Sequence, residues 1–232
     1  MPFKYDNKHP AHNPTKISIV MAMFPDNFSK SQSFNLAGAL IFTGVLQWFL
    51  IVLAAETLFP SYSIRANDLS DLASTVAPHA APLQPSALLF NGATFLVGLL
   101  VLISAMLIYR AGDNGLFSRI FSALFSFSGL FAMGVGVFPG DTGVIHGLMA
   151  MGWFVTAPLS AIAISRRASG AFAYFSAVIG VFALIVLLSA VFAGQSSPFL
   201  ALGRGGEERL IAFPVLLWMA ALSGQLMSPS NG

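Results

Sequence analysis

Six apolar stretches, each about 20 residues long, leave this chain few folds to choose from. They run Phe34–Leu58, Ser86–Arg110, Leu116–Phe138, Gly143–Ile164, Gly170–Ala193 and Leu210–Met227, with polar turns between them. A segment of that length and character is stable as a membrane-crossing helix, because a helix satisfies its own backbone polar groups where no water can. Charge usage agrees. Asp, Glu, Lys and Arg make up 9% of the chain, against about 25% in a soluble domain. The mean hydropathy is +0.78. The expected fold is all-α: a polytopic membrane protein, a bundle of six transmembrane helices over residues 33–232, preceded by a polar N-terminal tail over 1–32.

The tail carries Lys4, Lys8, Lys16 and Lys30, and two of the four histidines, His9 and His12. Its apolar run Ile17–Phe24 is too short to span a bilayer and has no small-residue cleavage site after it. It reads as a short interfacial or partner-binding segment ended by Pro25. Six spans put both ends of the chain on one side. That side would hold the four lysines with Arg110, Arg119, Arg166 and Arg167, and the other Arg65, Arg204 and Arg209. The positive-inside rule then predicts a multi-pass protein of the cell membrane with both termini cytoplasmic.

There is no cysteine, which excludes disulfides, thiolate nucleophiles, iron–sulfur clusters and covalent haem. A net charge of +2 gives no reason to expect nucleic acid.

The longest polar interruption, Phe59–Pro85, gathers Arg65, Asn67, Asp68, Asp71 and His79. Asp68 and Asp71 are three apart and share one face of any helix there. They read either as caps of a short surface helix or as part of an acid/histidine site on the outer face. Glu56 is the one acid inside the apolar stretches, and a carboxylate there is costly enough to suggest function. His146 lies at a similar depth, so the two are expected to pair across helices. With Asp141 these residues form the candidate catalytic set: Glu56, Asp68, Asp71, Asp141 and His146. The same acids with His79 and His146 are residue types that bind divalent ions, but no H-x-x-x-H or equivalent spacing occurs, and no metal site is assigned. GRGGEER (203–209) lacks the G-K-[ST] ending and the preceding strand of a phosphate loop, and reads as an ordinary loop.

Trp48, Trp153 and Trp218 fall near the middle of their spans, away from the interfacial belt where tryptophan is enriched. Their indole N–H groups need partners, and Gln47 and Thr156 are within reach by sequence. They are the candidate contacts for a bound lipid, quinone or pigment. Phe117, Phe121 and Phe125 recur every four residues, as do the small residues Ser128, Ala132 and Gly136. Small residues at that spacing let helices approach closely in lipid.

YSIRANDLSDLA (62–73), LLFNGATFLVGLL (88–100) and GVFPGDTGVIHG (136–147) together resemble a prokaryotic family of hypothetical multi-span membrane proteins, a domain of unknown function. The resemblance covers roughly residues 40–225. It implies a six-helix bundle, with Asp68, Asp71, Asn91, Asp141 and His146 as motif positions, and implies no activity. A looser likeness to the membrane hydrolases that include ceramidases stops at the histidines. Those enzymes set a serine, an aspartate and three histidines around zinc, and here only His79 and His146 fall near one face.

Two functions follow as expectations. The first is a non-catalytic subunit of a larger membrane complex, held by the lipid bilayer and by other subunits through the N-terminal tail and the Phe/Trp-rich helix faces. The alternative is an outward-facing metal-dependent or acid/base hydrolase of a lipid-like substrate. Convergence of the acids and His146 on one pocket would favour the second.

Overall fold

The computed structural model describes residues 28–228 except Ala77 and Asn114. The segment Ile17–Phe24, the tail lysines before Lys30 and the tail's expected role toward a partner lie outside the described residues. Six helices are each long and apolar enough to cross a membrane: α1 (Lys30–Leu58), α2 (Ser86–Ala111), α3 (Leu116–Val137), α4 (Val144–Ser165), α5 (Gly170–Phe192) and α6 (Arg204–Met227). The chain is a multi-pass membrane protein. Each helix packs on the next in the chain, and α6 packs back on α1, so the six form a closed ring in chain order. Short 3-10 turns at Leu69–Ala73, Gly140–Thr142, Gly194–Ser196 and Pro198–Leu202 sit at the end of the bundle opposite the start of α1. We call that end the loop end.

Helix faces follow from the solvent. On α1 the buried residues Ala37, Ile41, Val45, Trp48, Val52 and Ala55 recur every three or four positions and face the ring. Leu46, Leu50 and Leu53 stand on the other side, exposed. Both faces are apolar, as expected where lipid replaces water outside. Packing between helices then depends on close fit. The closest backbone approach between helices is α2 on α3. A Cβ on Gly98 would lie 2.5 Å from the Met133 nitrogen and 2.6 Å from the Gly129 oxygen, and one on Gly129 would lie 2.8 Å from the Gly98 oxygen. Phe121 and Phe125 stack at 5.3 Å, and Phe125 meets Trp218 edge-on.

Two helix starts differ from the sequence expectation. α1 begins at Lys30, not Phe34, because Ser29 and Gln32 form a reciprocal capping box: each side chain bonds the other's backbone N–H. α6 begins at Arg204, not Leu210. The glycine-rich run expected as a loop is the first turn and a half of a helix. Gly203, at φ +81, makes the sharp entry. A Cβ on Gly205 would collide with the Asn67 carbonyl oxygen, so that glycine lets the helix press against the loop. Glu207 in the first turn suits the positive end of the helix.

Candidate functional site: a two-chambered cavity at the loop end

The early start of α6 carries Glu207, Glu208 and Arg209 into the bundle, so Glu56 is not the only acid within the spans. Arg209 is the hub. Its Nη2 donates to Glu56 Oε1 at 2.7 Å and to the Tyr62 hydroxyl at 2.6 Å. Its Nη1 donates to the carbonyls of Gly205 (2.9 Å), Asn67 (3.1 Å) and Ile64 (3.3 Å). The guanidinium and Glu56 are only 8% and 13% exposed, a pair withdrawn from solvent that needs every one of these bonds. Tyr62 passes the link on, its hydroxyl donating to the Asp68 carbonyl at 2.9 Å. Burial pushes that hydroxyl above the ordinary phenol range, with Arg209 beside it pulling the other way, so it stays a neutral donor. Glu56 therefore does not pair with His146. Arg209, from the last helix, takes it, and His146 Nδ1 lies 2.7 Å from the Phe138 carbonyl.

The long loop is built on this anchor. Asp71 accepts from the Asp68 N–H (3.1 Å) and from Asn67 Nδ2 (3.0 Å), closing the 3-10 turn at Leu69–Ala73. The Leu69 N–H donates to Glu208 Oε2 at 2.6 Å. Asp141 accepts from both the backbone N–H and the hydroxyl of Thr75, at 2.8 and 2.7 Å, and staples the loop to the α3–α4 turn. Those two bonds, the backbone one first, hold the Asp141 carboxyl below the usual carboxylate range. Its contribution is thus present above the ordinary aspartate pKa and lost as pH falls through the depressed value. Asp141→Asn is expected to speed amide exchange at Thr75 while leaving the helices unchanged, which hydrogen-exchange mass spectrometry reads directly. Equal protection in both proteins would remove the staple. His79 packs edge-on to Phe59, ring centres 6.1 Å apart.

Behind the loop lie two chambers that share a neck. The inner one, about 70 Å³, sits within the ring and is walled mainly by apolar groups, with Trp48, Phe90, Val97, Val101, Trp153, Leu216 and Met219 among them. That is several times the roughly 10–15 Å³ one water needs. The outer one, about 350 Å³, lies among α4, α5 and α6 under the loop, with Asp68, Arg204, Glu207 and Glu208 on its polar side and Leu187, Ala190 and Ile211 on its apolar side. Ser70, His146, Ala150, Phe154 and Glu208 line both and form the neck. Met151 and Val191 of the outer wall are exposed on the flank of the bundle, where the bilayer lies.

Electrostatics distinguish the chambers' polar groups. Glu207 is 2% exposed and paired, to Arg204 Nη1 at 2.8 Å and to the Ser197 hydroxyl at 2.5 Å. Ser189 donates to Ser197 in turn, so Glu207 ties the α5–α6 connection down. Asp68 is different: burial pushes its carboxyl above the ordinary range, and the neighbouring Asp71 adds to the effect. Among the described residues, no group of three histidines and acids is placed to hold a metal ion.

Of the candidates named from sequence, Asp68 and His146 reach the cavity. Glu56, Asp71 and Asp141 hold the loop that roofs it. Two of the tryptophans find partners other than those expected. Trp48 donates to Thr94 at 3.1 Å and Trp218 to Ser176 at 2.9 Å. Gln47 instead bonds the carbonyls of Gly44 and Ala93, and Thr156 that of Gly152. Trp48 and Trp153 line the inner chamber, whereas Trp218 is fully buried against Phe125.

A family described as a protein of unknown function (DUF998) matches residues 42–224. The chain belongs to this DUF998 family. The match runs from near the middle of α1 to the last turn of α6, so the roofing loop, the neck and the ring, apart from the start of α1 and the last residues of α6, fall within the DUF998 region. No curated protein and no solved structure matches the chain.

Proposed function

We propose that this DUF998 protein binds one lipid-like amphiphile, drawn sideways from the bilayer, and acts on its polar head with the acid/base groups at the neck. The observation that carries this reading is the shared neck: a carboxylate, an imidazole and a hydroxyl, from Glu208, His146 and Ser70, stand where an apolar chamber meets a polar one. An amphiphile has the same two-part character. The end of its chain enters the inner chamber, whose volume of about 70 Å³ takes a few methylenes; the rest, with the head, lies at the neck and in the outer chamber of about 350 Å³. The imidazole is set up as a base. A carbonyl oxygen only accepts, so the bond to Phe138 puts the proton on Nδ1 and leaves a lone pair on Nε2. That nitrogen, with Glu208 at the same neck, would take a proton from a donor on the head. Sequence alone favours a packing subunit; of the acids expected to converge with His146, Asp68 alone lines the cavity, and it is Glu207 and Glu208, from the early start of α6, that support the acid/base reading. The metal-dependent form has no three-ligand cluster behind it among the described residues.

The test begins with occupancy. Protein purified in a mild non-ionic detergent is expected to retain about one amphiphile per chain in native mass spectrometry. Ala212 is 4% exposed and lines the inner chamber, so Ala212→Phe fills it and is expected to abolish retention. Leu217→Phe, at an exposed site, should not. Equal retention by all three proteins, each folded by thermal unfolding, would sink the proposal.

A further inference from the structure

We infer that the amphiphile's head is a hydrogen-bond donor carrying positive charge, a long-chain amine in preference to a fatty acid or a phosphate-headed lipid. The inference rests on the amphiphile reading of the cavity above and adds to it the chemistry of the head. The chain cannot supply the selectivity: bilayer interior and apolar chamber are alike to a hydrocarbon tail, so moving it between them gains little. Selection falls to the polar wall, and that wall offers acceptors. His146 presents the Nε2 lone pair, since its Nδ1–H is spent on Phe138. Glu208 receives one N–H, from Leu69, and a carboxylate has lone pairs for about four. Asp68 has its backbone N–H bound by Asp71 and its carbonyl by Tyr62, and the residue lines the outer chamber.

The donors are turned elsewhere. Arg209, the strongest donor nearby, directs its bonds to Glu56, Tyr62 and three loop and helix carbonyls. Among the described residues lining the outer chamber, Arg204 is the one guanidinium, against Asp68, Glu207 and Glu208, and its Nη1 is on Glu207. An anionic head would have to sit against carboxylates in a partly desolvated space, where repulsion is strong. A primary ammonium brings three N–H donors to a wall rich in carboxylates, where its bonds are charge-assisted. It would also add to the positive charge that Arg204 and Arg209 already bring to Asp68, whose ionised form burial and the neighbouring Asp71 still make costly.

The experiment uses the tryptophans of the inner chamber. Dodecylamine and dodecanoate, each brominated at the far end of the chain, are titrated into the full chain in nanodiscs of zwitterionic lipid, and quenching of Trp48 and Trp153 is followed. The amine is expected to quench saturably and to bind about tenfold tighter than the carboxylate, the scale of one charge-assisted contact. Asp68→Asn/Glu208→Gln should erase that advantage, and either single exchange serves if the double variant does not fold. Dodecanoate binding as tightly as the amine would overturn the inference, as would an amine advantage that survives the exchanges. A dodecyl phosphate that outcompetes both would assign the site to Arg204 and overturn it too. Absence of saturable quenching by any of them would instead remove the amphiphile reading itself.

Discussion

Arg209→Leu is expected to lower the unfolding free energy by about 3–5 kcal/mol, the range for stranding one partner of a buried ion pair. The expectation comes from what the guanidinium leaves behind. Glu56 is 13% exposed and close to the membrane boundary, and Arg209 is its cation. The carbonyls of Gly205, Asn67 and Ile64 and the Tyr62 hydroxyl lose a donor at the same time. The loop that roofs the cavity is fastened by these bonds, so the inner chamber's mouth should loosen with them. Adding Glu56→Leu should restore a large part of the loss, because two matched apolar side chains replace an ion pair at little cost. Recovery should stay incomplete, since the carbonyls remain unpaired. Chemical or thermal unfolding in detergent reads all three. If the double variant is no more stable than Arg209→Leu, the stranded-charge account fails. Arg209→Lys should also fall short, because an ammonium has three donors and cannot reach acceptors spread around a planar fork.

Gly98→Val is expected to be the most damaging change in the apolar part of the ring, exceeding the roughly 1–3 kcal/mol of ordinary overpacking. A side chain there meets backbone, the Met133 nitrogen and the Gly129 oxygen, at 2.5 and 2.6 Å. Backbone cannot rotate aside as a side chain can, so α2 and α3 must separate. Gly98 and Ser128 of these two helices both face the inner chamber, so the cavity should change shape as well. Gly92 provides the comparison on the same helix, where a Cβ would have nothing within 4 Å of it. Gly92→Val should leave the melting temperature nearly unchanged. Equal shifts from the two exchanges would show that close approach at Gly98 does not hold the pair together.

Helix number and order are legible in the sequence because they follow from the solvent: six long apolar runs admit one kind of answer. Five of the six helices begin and end within a few residues of expectation. The exception decides the site. GRGGEER reads as a loop because three glycines in seven residues disfavour helix, and that hides Glu207, Glu208 and Arg209. Gly203 and Gly205 give clearance against the carbonyls of residues 64, 65 and 67, a requirement set by a segment far away in the chain. A charge triplet opening an apolar run is the available signal, since acids suit a helix start. The expected pairing of Glu56 with His146 fails for a related reason. Depth follows from position in each span, but rotation about the helix axis does not, and rotation decides which neighbour a side chain meets. The candidate acids of the loop are recognisable by type. Their division into roof-builders, Asp71 and Asp141, and a cavity-facing member, Asp68, depends on contacts made with α6 and the α3–α4 turn.

The closed ring also sets an order of events during biosynthesis. Glu56 lies in the first of the six helices to leave the ribosome, and the guanidinium that neutralises it follows 153 positions later, in the last. Until then the first five helices form an unclosed arc, with a carboxylate near the membrane boundary waiting for its counter-ion. The roof cannot settle, because Leu69 also waits for Glu208. A nascent chain that stops before α6 therefore holds Glu56 without the guanidinium that pairs with it, and the sixth helix supplies that partner in the same step that closes the ring and completes the cavity.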